Sequence, residues 1–400
     1  MARGGSDSAD VVIVGCGVAG VWTALFLAQA GVQRIVVLDR LNAGAGASVR
    51  GTGLVRVHHS NVFETELALV SRRYYREWED TVGIGSCGWR ETGVMWMVSH
   101  ANAELLRQNV AAQQAIGADI EVLEPDQIRA VQPHIDPTGI GAAAYEPASG
   151  TAIGAAAMDG LVSRLLIEGV TVRTYTPAVR LLRGPGGIAG VETPEGSIFT
   201  DKVVLAAGAW SRALALSAGA EIPIKARRAT LGTAYYPPSL DPAMAFFDEV
   251  IDCSFAPKHG GTWTIVPVRD GQFLKSVDPD RYETQPLPGA AEAGIELISR
   301  RIPAMRDAVP ADRWAAVDGV TPDGRPLIGE HPELPGLFLH TGGNFKGFKM
   351  APVGAIGLVA QMMGLKEPRV DLSAYSVARF ADSTAQRPWD GPSYVKSRWT

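Results

Sequence analysis

Cysteine is scarce in this sequence: the 400 residues hold three, Cys16, Cys87 and Cys253, far apart and without a CxxC or Cys/His ligand spacing. That excludes a disulfide framework, offers no pattern for zinc or another metal, and fits a reducing, cytoplasmic setting. A basic excess is lacking too. The formal net charge is −5 and no Lys/Arg block runs along the chain, so a phosphate backbone is not an expected partner and nucleic acid is set aside. The opening MARGGSDSAD has one arginine and two aspartates, and no small-residue cleavage site follows the next apolar run, so a secretory leader is not expected. Internal repeats and low-complexity segments are also missing. What remains is an ordinary globular composition with enough residues for two domains.

The longest apolar stretch, VVIVGCGVAGVWTALFLAQAG from Val11 to Gly31, has the length of a bilayer span. Two features argue against that reading. After Gly31 comes VQRIVVLDR, a β-branched run ending in an acid, which has no reason to follow a membrane helix. Within the stretch, Gly15, Gly17 and Gly20 form GxGxxG directly after Val11–Val14. In a strand–turn–helix the first glycine permits the tight turn, the second lets backbone approach a pyrophosphate, and the third lets helix and strand pack closely. The free N–H groups at the helix start then meet the phosphate charge. Asp39 falls about 20 residues beyond, where a carboxylate accepts hydrogen bonds from an adenosine ribose. Arg40 beside it is a candidate for the same end of the cofactor. The motif serves NAD and FAD alike, so no membrane association and a dinucleotide site are expected.

Further along, periodicity predicts helices over Glu64–Thr81, Ala101–Ile116, Gly150–Glu168, Ala290–Arg301 and Ala351–Met363, a strand over Thr92–Val98, and a short helix in EVLEPDQIRAVQP. From VTVRTY to VVLAAGAW the chain reads as short strands punctuated by Pro and Gly, re-entering the nucleotide-binding domain. Residues 216 to 316 read as a separate, mainly antiparallel sheet.

Taken in order, the GxGxxG, GASVRGTGLVR, TGVMWMV, EPASGTAIG, DKVVLAAGAWS, TPDGRPLIG and TGGNFKGFKMAP resemble the FAD-dependent D-amino acid oxidase superfamily, in its sarcosine oxidase and glycine oxidase branch. The resemblance runs from Val11 to about Met363 and favours FAD over NAD. It implies an α/β fold: a doubly wound, Rossmann-like FAD-binding domain (9–90, 148–215 and 317–366) interleaved with a mainly antiparallel α+β substrate domain (91–147 and 216–316), then a tail (367–400). It places Ser48, Gly208, Gly343, Lys346 and Gly347 at the cofactor, with the start of the last helix and Lys346 near the pyrimidine end of the flavin. Family members often carry histidine where Lys346 stands.

By the same resemblance, Arg56 and Lys349 grip the substrate carboxylate, and Lys275 lies over the flavin to promote its reaction with oxygen. The region where sarcosine oxidases attach FAD reads WAAVDGVTPDG, without cysteine, so non-covalent FAD is expected. The histidine that those enzymes place four residues after the oxygen lysine is here Pro279. The implied partners are a small carboxylate-bearing amine and O2, and the implied reaction is amine to imine with hydrogen peroxide as by-product. The alternatives are a dehydrogenase of the same fold passing electrons to a carrier, a non-catalytic FAD-binding protein, and an NAD enzyme. His58 and His59 read either as facing the flavin or as a polar loop at a domain boundary, and Trp263 and Phe348 as pocket walls or plain core. Oligomeric state leaves no trace in the sequence.

Overall fold

The computed structural model describes residues 7–237, 240, 244–258, 262–267, 274–285, 288–365, 370–382, 384 and 387–388. The opening apolar stretch divides as GxGxxG requires. Val11–Val14 is a strand with all four residues buried, and after the turn a 12-residue helix runs from Val18 to Gln29. Among the described residues no helix is long and apolar enough to cross a membrane.

Two sheets organise the chain. The first has six strands in the order Leu327–Glu330, Leu337–Thr341, Val203–Leu205, Val11–Val14, Ile35–Leu38 and Thr171–Arg173. Its strands pair in parallel except at the Leu327–Glu330 edge. Such a sheet is buried on both faces, which is why its strands are unbroken Val, Ile and Leu runs. The helix Val18–Gln29 packs on one face with Gly154–Ile167 and Gly347–Met362, around a core that includes Trp22, Leu25, Leu161 and Leu358. The second sheet is built mostly from 94–146 and 225–320. Its long strands Lys225–Tyr235 and Val309–Val320 pair antiparallel, and Val94–Ser99 pairs in parallel with Ala245–Asp248. The strand Val309–Val320 runs across the boundary expected between 316 and 317.

Three expected elements differ. In EVLEPDQIRAVQP, Glu121–Leu123 is an edge strand on Ile140–Glu146, and the helix occupies Pro125–Val131 behind a Glu124/Gln127 capping box. Gly150 and Thr151 pair with Leu54 and Val55, so the next helix begins at Gly154. The last helix begins at Gly347, not Ala351, and carries Pro352 inside it. Proline removes the N–H that would bond the carbonyl four residues back. Here that carbonyl, Phe348 O, accepts from the Tyr75 hydroxyl, and Lys349 O accepts from Ser71 Oγ. Side chains of the helix Val62–Arg76 therefore complete the first turn, and Lys349 sits on the helix rather than ahead of it.

Candidate active site

A cavity of about 1270 Å³ runs between the two sheets. At one end lies the glycine turn. Gly15 has φ of +114° and a Cβ there would fall 2.4 Å from Ala206 O; a Cβ on Gly20 would fall 1.9 Å from Gly15 O. Both positions therefore require glycine, and the turn leaves its backbone bare. Asp39 accepts from Cys16 N (2.8 Å) and Leu41 N (2.9 Å), which fixes its carboxylate beside the turn with lone pairs to spare. Burial raises its pKa. Ser48 Oγ accepts from Val18 N at 2.9 Å, holding its loop against the helix start. Arg40 lines the cavity with its guanidinium 4.1 Å from the Trp210 ring centroid, and it pairs with Asp280 at 2.6 Å. Gly208 and Gly343 line the cavity wall.

The other end is a buried charge cluster. Arg56 and Lys349 are 8% and 6% exposed and line the same wall. The Arg56 guanidinium lies over Trp96 (4.7 Å) and Phe247 (4.9 Å), two rings stacked on each other at 4.7 Å. Among the described residues no carboxylate reaches ion-pair distance of Lys349 Nζ. Burial, then the Arg56 and Lys346 charges, hold its pKa well below the ordinary lysine value. Lys346 does not point a free ammonium into the cavity: its Nζ pairs with Glu64 at 2.8 Å, and Arg325 approaches the same oxygen at 3.1 Å. Burial pushes the Glu64 carboxyl up, but the two cations outweigh it and hold its pKa at about 2. This end is electropositive and largely buried, a setting that strengthens the attraction for an anion.

His58 and His59 lie in a loop, and both are buried and line the cavity. His58 Nδ1 bonds Gln113 Oε1 at 2.8 Å, and burial lowers its pKa to about 3. Phe348 lines the cavity and stacks on Tyr75 at 4.9 Å. Lys275 occupies the strand Leu274–Ser276 opposite Arg228; its side chain, and that of Trp263, lie outside the described residues.

Sequence reasoning missed Glu64, Trp96, Phe247, Arg325 and Asp318, all on the cavity wall. Asp318 accepts from Gly319 N and Phe345 N at 2.8 and 2.7 Å, and burial nevertheless raises its pKa to about 6. It holds a turn in which Asn344 and Phe345 both have positive φ. Trp96 and Arg325 stood inside TGVMWMV and TPDGRPLIG, which signalled the segments without saying which side chain faces the cavity.

A family model described as FAD dependent oxidoreductase matches residues 10–362. The chain belongs to this FAD dependent oxidoreductase family. The cavity fits the cofactor: the glycine turn and helix start suit its pyrophosphate, Asp39 its ribose, and the cationic end its flavin. None of the three cysteines lines the cavity, which accords with non-covalent FAD. Mitochondrial sarcosine dehydrogenase of Homo sapiens is 26% identical over 98% of this chain and 43% of its own length. Glycine oxidase of Pseudomonas putida is 26% identical over 92% of this chain and 98% of its own. The chain thus spans under half of the sarcosine dehydrogenase and nearly all of the glycine oxidase. Among solved structures, L-proline dehydrogenase from P. horikoshii superposes with a TM-score of 0.85 at 20% identity, covering 94% of this chain and 98% of its own. Glycine oxidase from Geobacillus kaustophilus gives 0.81 at 21%, covering 93% and 99%. These two likenesses establish the doubly wound FAD fold.

Proposed function

We propose that this FAD dependent oxidoreductase oxidises a small α-amino acid or N-alkylated amino acid to the imine, with O2 as the final electron acceptor and hydrogen peroxide as by-product. The observation that carries the reading is the pairing of Arg56 with Lys349: two buried basic side chains on one wall of the cavity, Lys349 without an ion-pair partner among the described residues, answer to a carboxylate. FAD supplies the two-electron acceptor when bound. Arg56 meets the carboxylate with its planar fork, prevented from swinging by Trp96 and Phe247. Lys349 meets it from the first turn of the last helix. Held this way, the reacting carbon presents its C–H to the flavin in one orientation. The surrounding cations favour the neutral amine, the form that can release hydride.

Lys275 is proposed as the oxygen-promoting cation, with charge on developing superoxide as its target. A dehydrogenase passing electrons to a carrier is the second reading, and the names of two of the similar proteins, sarcosine dehydrogenase and L-proline dehydrogenase, keep it in play.

The experiment is an anaerobic absorption titration with glycine, sarcosine, proline, pipecolate and larger L-, D- and N-methyl amino acids, followed by air. The expected result is bleaching by one class and rapid return of colour with peroxide, slowed in Lys275→Met. Slow return in the unmodified protein selects the dehydrogenase reading. A flavoprotein that nothing bleaches overturns the substrate assignment.

A further inference from the structure

The amine of an amino acid needs a partner as much as its carboxylate does, and the carboxylate beside the cationic wall, Glu64, is taken by Lys346 and Arg325. His59 is the residue placed to serve. Its backbone is fixed on both sides, the N–H donating to Thr65 Oγ1 at 3.3 Å and the carbonyl accepting from Asn109 Nδ2 and Gln113 Nε2 at 2.6 and 2.5 Å. The ring lines the cavity with Nδ1 turned back toward Glu64 Oε2 at 3.6 Å. Nε2 is buried and has no hydrogen-bond partner among the described residues. A buried polar atom left without a hydrogen bond is unusual.

Resting on the reading above, we propose that His59 Nε2 is the acceptor that receives an N–H hydrogen bond from the substrate's amino group. The ionised Glu64 carboxylate favours the tautomer with the proton on Nδ1, which leaves the Nε2 lone pair for the ligand. The charged and titratable groups acting on the ring are Lys349, Arg56, Lys346, His58 and Glu64, and burial with the cations keeps the imidazole neutral. A neutral ring accepts; a charged one would only donate and would repel an amine. Arg56 and Lys349 are close enough to act on His59 electrostatically, as a residue that shares one small amino acid with that pair must be. His59 thus selects an amine that still carries an N–H, so primary and secondary amines are accepted and fully N-alkylated ones rejected.

The test compares two non-oxidisable carboxylates, anthranilate and benzoate, which differ only by an amino group that is neutral at pH 7. Binding to the FAD-loaded protein is read from the perturbed flavin absorption. The wild type is expected to bind anthranilate about tenfold or more tighter than benzoate. His59→Leu is expected to bring that ratio to about one with benzoate affinity little changed, because only the acceptor is lost. His59→Gln, whose amide donates to Glu64 and presents Oε1 to the ligand, is expected to keep most of the preference. This second variant decides the matter should His59→Leu lose its flavin. A wild type without preference, a His59→Leu that keeps it, or a His59→Gln that loses it overturns the proposal. Absence of benzoate binding in the wild type sinks the carboxylate site itself, and with it the substrate class proposed above.

Discussion

Lys349 must keep or give up its proton inside the protein, beside Arg56 and Lys346. Burial and like charge both favour the neutral amine. A carboxylate bound between Arg56 and Lys349 reverses that balance and raises the lysine pKa. Between the free and bound values, ligand binding therefore takes up a proton, and carboxylate affinity falls as pH rises through this window. Calorimetry of benzoate binding in buffers of different ionisation heat should show uptake approaching about one proton, absent in Lys349→Met. Glu64 presents the opposite case. Its pKa is lowered to about 2, so its ion pairs with Lys346 and Arg325 contribute fully above the ordinary glutamate value and are lost only as pH falls toward 2. Glu64→Gln removes the buried carboxylate that faces the half-buried Lys346 and Arg325 and should cost about 1.5–3 kcal/mol, read by chemical denaturation. Lys349 and Arg56 were legible in the sequence because they sit in short motifs. Glu64 was not: its partners are Arg325 and Lys346, far along the chain, and only the packing of Val62–Arg76 on the last helix brings them together.

At the scale of elements, the strand, glycine turn and helix at the N-terminus were readable residue by residue, because each glycine answers a local steric demand. Gly20→Ala tests that demand. The added Cβ meets backbone, Gly15 O at 1.9 Å, and no side chain can yield, so the turn must open where the pyrophosphate rests. The variant should fold with its FAD affinity reduced by about tenfold or more, equivalent to ~1.4 kcal/mol, measured by flavin fluorescence on titrating the apoprotein. The last helix was read less well. It was expected from Ala351, yet the helix extends back to Gly347, with Tyr75 and Ser71 supplying donors from another helix to its first turn. Such long-range completion leaves no periodic mark. Tyr75→Phe removes the donor to Phe348 O and should destabilise the protein by about 1–3 kcal/mol, seen as a lower denaturation midpoint. The same change should loosen the turn that carries Lys349, weakening benzoate as well.

For the whole molecule, the cavity is where the two sheets meet. The first sheet and its turns provide Val14, Leu38 and Ala206, and the second provides Trp96, Leu231, Phe247 and Asp318. The dinucleotide half of this arrangement was visible in sequence; the second sheet was expected as mainly antiparallel but without a strand order, since its register joins segments as distant as Val94–Ser99 and Ala245–Asp248. A ligand held by both walls links them. FAD bound only by the folded chain should stabilise it by RT ln(1 + [FAD]/Kd), about 2.7 kcal/mol at a hundredfold excess over Kd. Stripping FAD should therefore lower the thermal midpoint, and adding it back should restore the midpoint in proportion to the logarithm of its concentration. If the proposed site binds carboxylates beside the flavin, benzoate should raise the midpoint of the loaded protein more than that of the stripped one. Equal midpoints with and without FAD would mean that the two sheets hold their arrangement independently of the cofactor.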